Sequence, residues 1–443
     1  MGLIMRKTLF LLGPLIGLLA ACSGYGPSPT PTIVMVQAPV VVTPRPVFTS
    51  DPGRQMKSDL TPTLPAATAV PGCTVTSSEP ATKPDVDAIF GAVTEQDYVR
   101  GPYTATITLL QYSDFQCDYC AGITPILNQL LKDYPKDIRL IFRYYPLIGT
   151  PDQPLHDKAA ISAQAAEAAA RQGKFWEMFD LLMARQPEWS SLTVTQFKGW
   201  IAAQVIDLGL EIDRFQVDLT SPAIVSKIQA AWENGQKIGL PYVPYLLING
   251  VPFGNVPPDY ANFQAIINLT LLEKRQFTTC PPMTINLAKR YVATIQTEKG
   301  DIVLELFPDQ APLAVNSFVF LARSGWYDQI TFTNVSPGYM AQAGDPSGTG
   351  FGGPGYAFDN EIRPDLVFDR PGRVAMVNAG GDTNGSQFFI TYTPQPSLNG
   401  RFTIFGQVIS GMDLLLKLTP RDPSVDNRIP PGDLIRTITI EEH

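Results

Sequence analysis

Ser113-Asp114-Phe115-Gln116-Cys117-Asp118-Tyr119-Cys120 is the stretch on which the reading of this chain turns. Before it, residues 106–112 form an apolar, β-branched run that suits a buried strand, and after it residues 123–134 are amphipathic. Two cysteines in a Cys-x-x-Cys spacing at a helix start can close a small disulfide. The first sulfur there also faces free backbone N–H groups and the positive end of the helix dipole, which favour its thiolate. A metal site would need two further soft ligands, and no other Cys or His lies close by in sequence. Redox chemistry is therefore the leading reading, with a purely structural bridge or a metal site as alternatives.

Working outward, residues 138–145 read as a second strand. Residues 156–236 read as mostly helical, Ala-rich and broken at Gly173 and near Pro187. Residues 245–248 read as a strand turned by Asn249-Gly250, and 260–277 as a closing helix. Strand, Cys-x-x-Cys helix, strand, helical block, strand, helix is the order of a redox α/β fold.

The whole chain has 443 residues, 44% of them apolar, enough for two or three domains with separate cores. Its net charge of −8 argues against a nucleic-acid surface. Only His156 and His443 are present, which disfavours a His-rich metal site or a Ser-His-Asp triad. No metal or other cofactor is expected.

Arg6 and Lys7 precede an apolar or neutral run, residues 8–21, too short for a stable bilayer span. It ends in Leu19-Ala20-Ala21-Cys22, which resembles the lipobox of bacterial lipoproteins. That resemblance implies a signal peptide over 1–21, acylation of Cys22 and an extracytoplasmic protein held on a membrane by its lipid. An ordinary signal peptide or a short anchor is the alternative. Twelve of the 41 prolines fall between residues 27 and 84, without periodicity, so 22–84 reads as a semi-extended tether; a segment recognised by a Pro-binding partner is the rival reading.

Residues 90–277 resemble the DsbA-type thioredoxin-like oxidoreductases. The marks are Ser113 to Cys120, the Gln172-Gly173-Lys174-Phe175-Trp176-Glu177-Met178 segment and Gly239-Leu240-Pro241-Tyr242-Val243-Pro244-Tyr245. The resemblance implies a domain over 85–280 in which Cys117 attacks, Cys120 resolves, and Val243–Pro244 is a cis bond facing the disulfide. Asp118 beside Cys117 is expected to disfavour the thiolate. That points to a couple nearer a reductant or isomerase than the strongest oxidants, at about −120 mV. With Cys22 acylated and Cys117 paired with Cys120, Cys73 and Cys280 remain as a structural clasp bracketing the domain; free or intermolecular thiols are the alternative.

After a linker, 281–289, the chain turns β-rich: a hairpin over 291–307, a helix over 311–323, and short strands up to 435–441. The expected architecture is a closed antiparallel barrel with helices. Gly348-x-Gly350-x-x-Gly353 matches a dinucleotide fingerprint only formally, because Pro354-Gly355 prevents the helix that would hold a pyrophosphate.

Residues 290–443 resemble the cyclophilins, the peptidyl-prolyl isomerases, through Pro337-Gly338-Tyr339-Met340-Ala341-Gln342-Ala343-Gly344-Asp345, Met376-Val377-Asn378-Ala379 and Asn384-Gly385-Ser386-Gln387-Phe388-Phe389. That resemblance implies a proline pocket of Phe332, Tyr339, Met340, Phe389 and Leu398, and backbone contacts from Gln342, Asn378 and Gln387. Core filling is the alternative for the apolar positions. The family's catalytic Arg is Asn334 here, and its Trp and His positions are Ser397 and Phe402. The expected partners are unfolded or partly folded secreted proteins and a redox partner for the cysteine pair. The rival function is a membrane-tethered chaperone or scaffold that binds Pro-containing peptides without turning them over.

Overall fold

The computed structural model describes residues 70–76, 89–150, 153–254, 257–422 and 432–443. Cys22, the signal peptide and all but seven residues of the expected tether lie outside the described residues. Among the described residues, no helix is long and apolar enough to cross a membrane.

The first described strand, β1 (Cys73–Val75), pairs not with the cysteine-bearing domain but with β14 (Tyr356–Phe358) of the second domain. Residues 73–75 of the expected tether are thus a strand, since the backbone of β14 offers them partners. The cysteine-bearing domain then runs β2 (Tyr98–Arg100), β3 (Ile107–Ser113), α1 (Asp118–Asp133) and β4 (Ile138–Tyr144). A small ribbon follows, β5 (Gly149–Thr150) with β6 (Gln153–Pro154). The helical block comprises α2 (Ala159–Ala170), α3 (Phe175–Ala184), α4 (Gln186–Trp189), α5 (Val194–Asp207), α6 (Ile212–Leu219) and α7 (Pro222–Lys237). β7 (Tyr245–Ile248), β8 (Val251–Pro252) and α8 (Tyr260–Leu272) close the domain.

Its sheet has the order β2-β4-β3-β7-β8, with β3 parallel to β4 and antiparallel to β7. Alternation along β3 assigns the two faces. Ile107 and Leu109 join Ile123, Leu127, Phe263 and Ile267 beneath α1 and α8, whereas Leu110 and Tyr112 face the helical block. In α2 the buried faces are mostly alanine, which lets α3, α6 and α7 pack close to it. The chain breaks at Gly173, whose φ of +75° suits glycine, and Pro187 sits in the first turn of α4. The closing helix is shorter than the 260–277 expected. It ends at Leu272 because Phe277 leaves it to pack against Phe320 and Trp326 of the second domain.

The second domain contains β9 (Tyr291–Thr297), β10 (Gly300–Leu306), α9 (Pro312–Arg323), β11 (Ile330–Thr331), β12 (Asn334–Ser336), β13 (Met340–Ala343), β14, β15 (Arg373–Met376), β16 (Phe388–Thr391), β17 (Ile404–Ser410), α10 (Met412–Leu415) and β18 (Leu434–Glu442). Nine strands form one antiparallel sheet in the order β11-β18-β9-β10-β17-β15-β16-β13-β12. The expected closed barrel is corrected here: the sheet is curled and not closed. Its edge strands, β11 and β12, are consecutive in the chain, each pairs inward with β18 or β13, and no ladder joins them. The core inside the curl includes Phe318, Tyr327, Phe388 and Phe405, capped by α9. No side chain within α9 caps its amino end; the carboxylate of Glu361 instead accepts from Leu313 N and Ala314 N, at 2.9 Å each. The Gly348–Gly353 loop leads into β14 and starts no helix.

Cys73 and Cys280 are bonded to each other across 207 residues of sequence, but both pack on the second domain's core. The bond thus joins the two segments flanking the first domain and lays them on the second. Ile285, inside the expected linker, packs on the same core. Cys73→Ser is expected to destabilise the second domain by about 2–5 kcal/mol. Chemical denaturation followed by tryptophan fluorescence would measure the loss, and an unchanged midpoint would contradict this assignment.

Candidate functional sites

In the first domain the register Tyr112↔Tyr245 sets the turn after β3 beside the segment entering β7. Cys117 is the N-cap of α1, and its Sγ accepts from Cys120 N at 3.2 Å. Val243–Pro244 is cis, and the Val243 carbonyl accepts from the Cys117 thiol at 3.6 Å. Cys117 and Cys120 are both buried thiols. Beside them lies a groove of about 730 Å³ lined by Tyr119, Ile123, Tyr242, Pro244, Phe253 and Pro258. Tyr119 and Tyr242 expose their rings there.

The two sulfurs differ electrostatically. A hydrogen bond from Cys120 draws the Cys117 thiol below its usual range, against burial, with a further contribution from the Cys120 backbone N–H. Burial, reinforced by the neighbouring Cys117 sulfur, pushes Cys120 well above its usual range. The carboxylate acting against the Cys117 thiolate is Asp114, not the Asp118 expected from sequence. Asp114 is buried, whereas Asp118 sits in the exposed first turn of α1. Sequence distance also hid a histidine: His156 Nδ1 lies 2.8 Å from Asp114 Oδ2, and its positive form favours the Cys117 thiolate.

The second domain builds its candidate site on the outer face of the curled sheet. Along β13, Ala341 and Ala343 face the core, while Met340 and Gln342 are half-buried on the opposite side. One cross-strand row runs Asn334, Gln342, Phe389. Phe389 packs with Met340, Leu398 and Phe402 in a small apolar cluster separate from the core. Its ring stacks on Phe368, with centroids 5.8 Å apart, and meets Phe402 edge-on at 5.3 Å. Gln342 donates to Gln387 Oε1 at 2.8 Å, and Gln387 donates to the Gly350 and Gly352 carbonyls. Asn378 donates to Asn360 Oδ1 and the Arg401 carbonyl. Tyr339 follows the Pro337-Gly338 turn and is partly exposed.

Residues 292–440 match the family model described as cyclophilin type peptidyl-prolyl cis-trans isomerase/CLD, and residues 93–269 match one described as thioredoxin. Peptidyl-prolyl cis-trans isomerase A of Mycobacterium tuberculosis is 42% identical over 178 residues, covering 36% of this chain and 98% of that protein. The chain belongs to the cyclophilin-type peptidyl-prolyl cis-trans isomerase family. A peptidyl-prolyl cis-trans isomerase of Helicobacter pylori is 42% identical over 34% of this chain and 88% of its own length. A solved cyclophilin type isomerase of Cryptosporidium parvum is 38% identical, covers 35% of this chain and 99% of its own, and has a TM-score of 0.32. A thioredoxin-like domain thus precedes the cyclophilin domain.

Of the expected pocket residues, Phe389, Met340 and Leu398 share the small apolar cluster; Tyr339 lies outside it, and so does Phe332. Phe332 is fully buried in the main cyclophilin core, because the residue between β11 and β12 points into the curl. Phe368, Ala375 and Ile404 belong to the apolar cluster and were not read from sequence; strand alternation around Phe389 is the signal that could have found them. Arg363 and Arg373 are held by Asp365 and Asp369. Asn334 Oδ1 accepts from Ser336 Oγ at 2.8 Å.

The asymmetry of the sulfurs sets a pH order. As pH rises, Cys117 ionises first and below the ordinary thiol value of about 8.5, while Cys120 stays protonated. Iodoacetamide labelling read by peptide mass should therefore modify Cys117 with a midpoint below that ordinary value and leave Cys120 nearly untouched. Equal labelling of both would contradict the assignment.

Proposed function

We propose that this chain is an extracytoplasmic protein-folding factor, held on a membrane by acylated Cys22, which exchanges disulfides through Cys117 and Cys120 and isomerises X-Pro bonds on its cyclophilin domain. The observation that carries the thiol half is the sulfur of Cys117, capping α1 and facing the Val243 carbonyl beside an aromatic groove. The Cys117 thiolate attacks one sulfur of a client disulfide, forming a mixed disulfide and releasing the other client sulfur as a thiolate that takes up a proton. Cys120 then loses its proton and attacks Cys117, so the client leaves as a dithiol and the pair is oxidised. Part of what holds Cys120 protonated is the Cys117 sulfur itself. Once Cys117 is spent in the mixed disulfide, that restraint falls away, and the second step becomes easier than the first would suggest. A redox partner returns the pair to its starting state. Cys117→Ser is expected to abolish reduction of a polypeptide disulfide such as insulin's interchain bonds, read by turbidity; retained activity would refute the assigned nucleophile.

The cyclophilin half rests on Met340, Tyr339, Phe389, Leu398 and Phe402 as an apolar seat for proline, with Gln342, Asn378 and Gln387 offering amides to the client backbone. The barrier to rotation about the bond is about 18–20 kcal/mol. A charged donor on the twisting amide contributes roughly 1.5–3 kcal/mol, and Asn334 is shorter and uncharged. At 1.4 kcal/mol per decade, its absence costs about 10–100-fold in rate. Asn334 is also the observation that favours the second reading, a scaffold that holds Pro-containing segments without turning them over. Asn334→Arg should raise kcat/KM on a Pro-containing peptide by about 10–100-fold. A wild type at the uncatalysed background would favour the scaffold; a brisk wild type indifferent to the substitution would remove Asn334 as the limit.

A further inference from the structure

We propose that His156, paired with the buried Asp114, is a positioning residue for Cys117, holding a proton beside the nucleophile that cancels the Asp114 charge and sets the pH range in which Cys117 reacts. The inference rests on the thiol-exchange reading and deepens it.

The geometry is that of a built charge pair rather than a chance approach. Asp114 is 1% exposed and belongs to the same turn as the nucleophile, its carbonyl accepting from Cys117 N at 3.3 Å. Its Oδ1 accepts from Gln116 N at 2.7 Å, and its Oδ2 accepts from Leu147 N and meets His156 Nδ1, both at 2.8 Å. The loop bearing His156 is fastened to that turn a second time. Gln116 donates through Nε2 to Asp157 Oδ1 at 2.8 Å and accepts at Oε1 from Lys158 N at 2.6 Å. Both anchors hold the loop that carries the imidazole against the turn that carries the carboxylate.

The groups facing His156 are Asp114 and Cys117 from the turn after β3, Asp118 from the first turn of α1, and Asp157 with Lys158 on its own loop. Lys158 Nζ is held on Asp157 Oδ1 at 2.5 Å, which leaves Asp114 as the partner of the imidazole. A buried carboxylate alone repels a thiolate forming three residues on in the same turn. With the imidazole protonated, the pair is neutral and the repulsion is cancelled; once the imidazole loses its proton, the pair carries a full negative charge again. The hydrogen bond to Asp114 holds the His156 proton above the ordinary histidine range, against burial, so the neutral state of the pair extends toward the range in which Cys117 ionises. The two groups then titrate as a coupled pair.

The test uses the full chain and reads Cys117 ionisation directly, by iodoacetamide labelling rate against pH. In His156→Gln the Asp114 charge is left uncancelled, so the labelling midpoint should move up, with a rate several-fold to about tenfold lower near pH 6, tenfold corresponding to one pKa unit. In Asp114→Asn the opposing charge is gone, and the midpoint should move down or stay. A rise in His156→Gln without a rise in Asp114→Asn is what a merely structural role would not give; loosened packing moves both the same way. A second readout is independent of Cys117 chemistry. With only two histidines, the His156 ring proton is assignable by NMR. Its midpoint should lie above about 6.5 and fall in Asp114→Asn and in Cys117→Ser. Unchanged labelling in His156→Gln, or shifts of one sign in both variants, would overturn the proposal. If the shifts appear while the wild type reduces no disulfide, the positioning role stands and the exchange reading fails.

Discussion

A helix begins with backbone N–H groups that no carbonyl of its own can reach, and in this chain the atom that meets them is a sulfur. That one substitution of sulfur for the usual oxygen ties structure to chemistry. The cap stabilises α1, and α1 in turn favours charge on the cap. The sheet supplies the rest: β3 delivers the turn that carries Cys117, β7 is its antiparallel neighbour, and the register between them lays the Val243–Pro244 segment across the sulfur. Any shift of that register by one residue would turn the flanking side chains to the other face of the sheet and move the carbonyl away.

Much of this was legible because it is local. A Cys-x-x-Cys between a strand-like and a helix-like run identifies the site, and strand ends in the first domain were read to within a residue or two. What could not be read is what the tertiary fold imports. His156 is remote from Cys117 in sequence, and only the return of the chain before α2 brings it to Asp114. Asp118 looked like the relevant carboxylate because it is adjacent, yet an exposed side chain on the outside of a first turn acts through water, while Asp114 acts from inside.

The cyclophilin domain shows a different limit. Its motifs name the candidate residues, but a motif does not say which face of a strand a residue takes. Alternation does. Met340, Gln342 and Phe389 fall on the outer face, and Phe332 falls inside. Closure of the sheet was likewise beyond sequence, since the two edge strands are halves of one short stretch that each found a different neighbour.

The bond between Cys73 and Cys280 has a consequence for how the molecule is made. Cys73 leaves the ribosome before Cys117 and Cys120, and these before Cys280. Its strand must wait longer still, because β14 lies beyond all of them. The first sulfur synthesised among these four thus waits for surroundings that come after all of them. Meanwhile Cys117 and Cys120 already sit on the nascent loop that has yet to be closed. Vectorial synthesis thus places three thiols on one open loop before the partner of Cys73 exists, and only the completed fold, in which Cys117 and Cys120 are both buried, separates them from it.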